Sequence, residues 1–265
     1  MAGRFALSQS ERRAWQQDGF FVRRAAFDAH EVEELCRAAD RVREVALRLA
    51  VEGRPYEVDG NRYVDAGSVT VQLEHRPGSP SLRVVEPFHG LDPVLDRLVD
   101  DARLVEPMCD LVGTPRVGLW TDKLNFKPPH EGSGFRWHQD SPYWAHVCRH
   151  LDQLPNVMLA LDDADEANGC LRVVRGSHRH GLLPGRQGEG VLGPLFTDPR
   201  HFDEGSQVAV TMPAGSLAFF SPHTVHGSEP NRSERMRRAM VITYQPSGHD
   251  QFKAPGRREA ATAAA

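Results

Sequence analysis

Between Asp28 and Gly53 the apolar residues Val32, Leu35, Ala39, Val42, Ala46 and Leu49 recur at steps of three and four, with charged residues filling the positions between. That spacing predicts a long helix with one buried face. Ser8 followed by Glu11, and Asp28 followed by Glu31, are capping-box pairs that mark two helix starts. A third helical region opens at Asp92-Pro93 and runs through Leu95, Leu98, Leu104, Met108 and Leu111 to Gly113, with a break near Asp101. From about Gly67 short apolar stretches set off by Gly, Pro, Asn and Asp also appear: 68–73, 82–85, 116–126, 157–161, 171–174, 207–212, 217–220 and 237–244. Many short strands with turn signals predict a mainly β sandwich or barrel, with the helices of the first third packed outside one face.

One domain over residues 1–252 is expected, with a helical part at 1–113 and core strands mostly within 114–246. The segment 180–206, which contains GLLPGRQGEG, reads as a flap or an irregular connection, and the tail 253–265 has little to bury and reads as disordered. A net charge of −4 gives no electrostatic footprint for nucleic acid or an anionic membrane. The longest apolar runs are too short for a membrane span and the amino terminus lacks a signal peptide's apolar core, so the cytoplasm is the expected location. Cys36, Cys109, Cys148 and Cys170 have irregular spacing and read as reduced thiols.

Candidate chemistry centres on Trp137-His138-Gln139-Asp140, where an extended segment would put His138 and Asp140 on the same face. A third ligand has several candidates among 13 histidines; His226 stands out because it follows the apolar stretch 217–220 and precedes Arg237 by eleven residues. Two histidines and a carboxylate leave positions open on non-haem Fe(II), where structural zinc would be closed by protein ligands. If 2-oxoglutarate takes two of those positions, its far carboxylate needs a cation, and a guanidinium fork suits it. Arg237 and Arg238 alternate in direction, so one points inward and requires an anion.

The chain resembles the phytanoyl-CoA dioxygenase-like family of Fe(II)/2-oxoglutarate oxygenases. The resemblance lies in LNFKPP (124–129), RWHQD (136–140), ALDDADEANGCLRVVRGSH (160–178), AGSLAFFSPHTVHGSEPNRS (214–233) and RRAM (237–240), in the family's order across roughly 115–245. It implies a double-stranded β-helix, the jelly roll of cupin-like proteins. It also implies that His138, Asp140 and His226 ligate iron, that Arg237 and Ser228 hold the far carboxylate of 2-oxoglutarate, and that Asn125 contacts the cosubstrate. Trp144 matches an aromatic near the cosubstrate in some members. Arg136, Tyr143, His146 and Arg172 are further candidate pocket neighbours, from their closeness to the triad strands. His223, His178 and His146 read as hydrogen-bonded pocket or loop residues, and Lys127 as a solvated lysine at a strand end.

The implied activity is hydroxylation of a small molecule, a biosynthetic intermediate or natural-product scaffold, with Fe(II), 2-oxoglutarate and O2 consumed to give succinate and carbon dioxide. Two other readings stay open from the residues: a jelly-roll metal or ligand-binding protein without turnover, and a metal-dependent cupin hydrolase or isomerase with no need of Arg237.

Overall fold

The computed structural model describes residues 3–260. Both capping boxes form, with the Ser8 hydroxyl accepting from the Glu11 N–H and the Asp28 carboxylate from the Glu31 N–H. They open α1 (Gln9–Asp18) and α2 (Ala29–Glu52), separated by β1 (Phe20–Arg23). Four strands follow: β2 (Arg54–Val58), β3 (Asn61–Ala66), β4 (Val69–Leu73) and β5 (Leu82–Glu86). The break expected near Asp101 separates α3 (Pro93–Leu98) from α4 (Ala102–Val112), whose first turn Asp101 caps. The remainder runs β6 (Val117–Lys127), β7 (Phe135–His138), the single turn α5 (Ser141–Trp144), β8 (Asn156–Ala160), β9 (Leu171–Val174), β10 (Gln207–Val210), β11 (Leu217–Phe220), β12 (His226–Ser228) and β13 (Arg237–Pro246).

The strands form two antiparallel sheets, one of nine in the order β1-β11-β8-β13-β6-β5-β4-β3-β2 and one of four in the order β10-β9-β12-β7. Successive side chains of the large sheet leave on opposite faces. Val157, Leu159, Leu217, Phe219, Met240 and Ile242 pack outward against α2 and α4, while Met158, Ala160, Ala218, Phe220 and Ala239 pack inward against Leu171 and Val173 of the small sheet. The helices thus cover the outside of the large sheet, and the two sheets enclose a core between them. This is the jelly roll with external helices that the sequence leads one to expect.

Three local differences from expectation have physical causes. Strands β2 and β3 lie inside the part expected to be helical; apart from the buried Val64 their residues are mostly polar or charged and half to fully exposed, so apolar periodicity does not reveal them. Strands β1, β7 and β12 are three or four residues long, too short to show a period. The tail is the third. The Leu119 N–H donates to the Arg258 carbonyl at 2.7 Å, the Ala260 N–H donates to the Val117 carbonyl, Ala260 is buried, and the Phe252 ring stacks on Trp120 at 5.4 Å. Backbone pairing to β6 orders this segment despite its composition, while 261–265, the rest of the stretch expected to be disordered, lie outside the described residues.

Truncation after Gln251 removes that backbone pairing and uncovers Trp120. The cost expected is on the order of 2 kcal/mol, the scale of exposing one large aromatic. Urea denaturation checks it; an unchanged midpoint would mean that the tail contributes nothing to the fold.

Candidate active site

Strand β12 pairs with β7 so that His226 stands directly opposite His138, which brings the two rings to 4.1 Å between centroids. Asp140 arrives by another route than an extended segment. The strand ends at His138, and Asp140 has helical backbone angles (φ −79°, ψ −30°). The Asp140 and Ser141 N–H groups both donate to the Pro222 carbonyl, so the turn is tied to the segment that leads into His226. The intervening Gln139 is fully buried and bonds to the carbonyls of Gly181 and His223 and to the Leu183 N–H.

The three ligand atoms lie within 4.8 Å of one another, with the His138 and His226 Nε2 atoms 3.9 and 3.8 Å from the Asp140 carboxylate. Each imidazole is oriented by its other nitrogen, His138 Nδ1 to the Arg136 carbonyl at 2.7 Å and His226 Nδ1 to the Thr224 carbonyl at 2.9 Å. A nitrogen beside a carbonyl carries the proton, which leaves Nε2 of both rings with a lone pair directed into the site. Burial, and then the neighbouring His226, push His138 down to about 3. Burial alone would raise the Asp140 carboxyl, but His226, Lys123 and His138 outweigh it and hold the group below its ordinary value. Its Oδ2 accepts from Asn156 Nδ2 at 2.9 Å, and Asn156 is fixed in turn by the Thr243 hydroxyl at 2.6 Å. Two imidazoles oriented through Nδ1 and a carboxylate held below its ordinary value are the donor types a divalent iron requires, so these residues fit the metal.

A chamber of about 100 Å³ extends from the triad between the sheets. Asn125, Ser228 and Arg237 line it, and apolar walls come from Met158, Leu171 and Phe220. Arg237 is 4% exposed, donates one bond to the Gly169 carbonyl at 2.8 Å, forms no ion pair among the described residues, and leaves its Nε without a partner. Burial holds its guanidinium down to about 10. Gly169 has φ +74°, and a side chain there would collide with the Glu229 carbonyl and the Lys127 ammonium, so the turn it forms with Asn168 requires glycine. Arg238 points to the opposite face and makes a two-pronged ion pair with Asp162 at 2.9 and 3.0 Å.

Trp144 does not line the inner chamber; it is 1% exposed, packs edge-on against Trp120 at 6.2 Å and against Leu154, and borders a second, outer chamber. Tyr143 and Arg136 line the same outer chamber, whereas His146 is exposed and Arg172 faces Glu166 and Glu229 at a separate surface recess. His223 bonds to Ser141 and Asp152, as a structural histidine would. The 180–206 segment is a set of short 3-10 turns bridged by Gly185 and Thr197, and it places Leu192, Leu195 and Phe196 at the outer chamber.

Lys127 is a correction and the residue that sequence reasoning missed. It is fully buried, and its ammonium donates to the Ser228 hydroxyl at 2.8 Å and to the Glu229 carbonyl. Burial, followed by the nearby Arg237 and Arg83, pushes it down to about 6. The available signal was its register: Lys127 lies two residues beyond Asn125 on the same inward face, directly opposite Arg237.

Two histidines on paired strands of a jelly roll and a carboxylate from the turn after one of them, with a small chamber ending at a buried cation, define a non-haem Fe(II)/2-oxoglutarate-dependent dioxygenase. Residues 15–239 match the phytanoyl-CoA dioxygenase (PhyH) family, and the chain belongs to it. It is 30% identical over 263 residues to an ectoine dioxygenase of Bordetella parapertussis, covering 91% of this chain and 77% of that one. It is 30% identical over 197 residues to an L-proline trans-4-hydroxylase of Streptomyces griseoviridis, covering 66% and 73%. The solved structure of EctD from S. alaskensis with 2-oxoglutarate and 5-hydroxyectoine shares the fold, with a TM-score of 0.70 at 24% identity over 99% of this chain and 88% of that one. The cofactors are Fe(II), 2-oxoglutarate and O2. Among the described residues no helix is long and apolar enough to cross a membrane.

The depressed Lys127 fixes the sign of a pH effect. Between about pH 6 and the ordinary lysine value the unfolded chain binds a proton that the folded, cosubstrate-free protein does not, so stability rises with pH across that window. Lys127→Met is expected to flatten the rise and to raise the thermal midpoint near neutral pH, as read by melting curves from pH 6 to 10. A variant with the wild-type slope would show that Lys127 is charged in the folded protein.

Proposed function

We propose that this dioxygenase hydroxylates a small organic molecule in the cytoplasm, and that Arg237 and Ser228 hold the far carboxylate of 2-oxoglutarate while Asn125 contacts its body. The observation that carries the assignment is the Arg237 guanidinium, buried at the chamber wall with no ion pair among the described residues. An unpaired buried cation costs several kcal/mol, and an incoming carboxylate that accepts from it in two places offsets that cost. Lys127 supports the same reading: its Nζ donates to the Ser228 oxygen, which leaves the hydroxyl proton free to donate to the carboxylate.

Iron bound by the triad supplies the activation of dioxygen, with 2-oxoglutarate consumed to succinate and carbon dioxide. The protein supplies position. The Thr243–Asn156–Asp140 chain keeps the carboxylate directed at the metal position, and the backbone carbonyls of residues 136 and 224 keep both imidazoles aimed at it. Met158, Leu171 and Phe220 exclude water from the cosubstrate. The outer chamber, about 620 Å³, shares Lys123, Asn125, Phe135, His138 and Asp140 with the inner one, so a molecule held there has a face toward the metal position.

Arg237→Ala is expected to leave metal binding intact and to weaken 2-oxoglutarate roughly a hundredfold, the loss of a charged, bidentate contact worth a few kcal/mol. Titration of the anaerobic Fe(II) protein with 2-oxoglutarate measures both. Unchanged affinity for the cosubstrate would remove Arg237 from the role.

A further inference from the structure

The inner face of the large sheet does not stop at the cosubstrate. Across β6, β5 and β4 the register sets Asn125 beside Val84, and Gln72 and Thr70 opposite Val84 and Glu86, so the outer chamber is floored by a continuous row of inward-facing residues. Within that row Lys123 and Glu86 stand out. Lys123 lies two residues before Asn125 on the same strand face, about 7 Å along the strand, and it is the one lysine that borders both chambers. Its ammonium makes no hydrogen bond among the described residues, and its nearest carboxylate is Glu86 at 3.9 Å. Glu86 is 7% exposed and accepts only from the Thr121 hydroxyl, at 3.0 Å.

A structural ion pair in this protein looks different. Arg238 and Asp162, on the other side of the same sheet, meet at 2.9 and 3.0 Å in a fork. Charged hydrogen bonds close to about 2.7–2.9 Å when nothing holds the partners apart. Lys123 and Glu86 are therefore opposite charges that line the same outer chamber without closing on each other. A ligand carrying only an anion would bond Lys123 but meet the Glu86 carboxylate, and one carrying only a cation would do the reverse. A ligand with both, and no net charge, satisfies each group and adds no uncompensated charge to a buried site.

Building on the dioxygenase reading above, we infer that the substrate is a small zwitterion, with its anionic group on Lys123 and its cationic group on Glu86. The Tyr143 ring, 5.9 Å from the Lys123 ammonium, and the stacked pair Tyr56 and Tyr63, 5.2 Å between centroids, supply aromatic surface for the ligand's carbon frame.

The test uses the full chain loaded with Mn(II) and 2-oxoglutarate without oxygen, and free amino acids, cyclic and linear, as probes. Each is compared with its carboxamide, which lacks the anion, and its N-acetyl derivative, which lacks the cation. Thermal midpoints are read for wild type, Lys123→Gln and Glu86→Gln. At least one zwitterion is expected to raise the wild-type midpoint with an apparent affinity at least tenfold above both of its derivatives. Lys123→Gln is expected to abolish the preference for the free acid, Glu86→Gln the preference for the free amine, and both variants to keep the shift given by 2-oxoglutarate. The inference is overturned if no zwitterion outperforms its derivatives, if either variant keeps the wild-type preference, or if Lys123→Gln weakens 2-oxoglutarate as Arg237→Ala does, which would assign the lysine to the cosubstrate. A wild-type protein that shows no shift with 2-oxoglutarate itself would sink the dioxygenase reading, and the inference with it.

Discussion

Every central strand of the nine-stranded sheet has to serve two buried faces. On β6 the outward residues Leu124 and Phe126 join the helix-packed core, while Thr121, Lys123, Asn125 and Lys127 face inward. The outward side is held by area: α2 contributes Leu35, Ala39, Val42 and Ala46, all nearly or fully buried, and each such side chain removed from water contributes on the order of 1–3 kcal/mol. That side secures the fold and leaves the inward side free to be polar, because its polar groups answer to ligands and to one another. The exception on the outward side makes the same point. Asp122 is fully buried among helices, burial pushes its carboxyl up to about 7, and it is tolerated because it accepts from the N–H groups of Phe88 and His89 and so pins the loop after β5.

The inward face carries a deliberate imbalance. Arg237 and Arg83 are buried within electrostatic reach of Lys127, whose amine they and burial hold down to about 6, and among the described residues Glu74 reaches Arg83 through the Ser133 hydroxyl. Burying cations faster than anions destabilises the empty protein. On the proposed placement of 2-oxoglutarate, a dianionic cosubstrate would correct the balance, and the energy that would have stabilised the fold would appear as affinity. This is also why the two strand ends matter: the β6–β13 register that sets Lys127 opposite Arg237 is what concentrates the charge at one end of the chamber.

The legible part of this sequence was the part under the strictest physical constraint. Capping boxes at Ser8 and Asp28 and the three-four spacing of α2 mark single elements with local causes, and they formed as read. His138, Asp140 and His226 converge because β7 and β12 are paired, and an HxD with a later histidine after an apolar strand suffices to suggest it. The details failed where a local rule was asked to do a tertiary job. The same-face argument for His138 and Asp140 assumed a strand that reaches Asp140, but β7 ends two residues earlier at His138, and the convergence comes from a turn held by the Pro222 carbonyl. Lys127 read as solvated because lysines at strand ends usually are, and only its pairing with β13 buries it. Trp144 packs with Trp120 and Leu154 and borders the outer chamber rather than the inner one, a placement that its position in the sequence does not specify.

What stayed hidden has a common location. Strands β2 and β3, together with the 180–206 turns, wall the outer chamber, and all of them are polar, short or irregular. A surface that binds a polar molecule from solvent cannot be patterned like a core: its residues alternate between facing water and facing ligand, and hydrophobic period carries no trace of the difference. The inner chamber is legible because the ligands proposed for it, a metal and a dicarboxylate, demand particular residue types at fixed spacings. The outer chamber has to suit whichever molecule is oxidised, so its chemistry becomes visible only once the register of β4, β5 and β6 shows which side chains share a face.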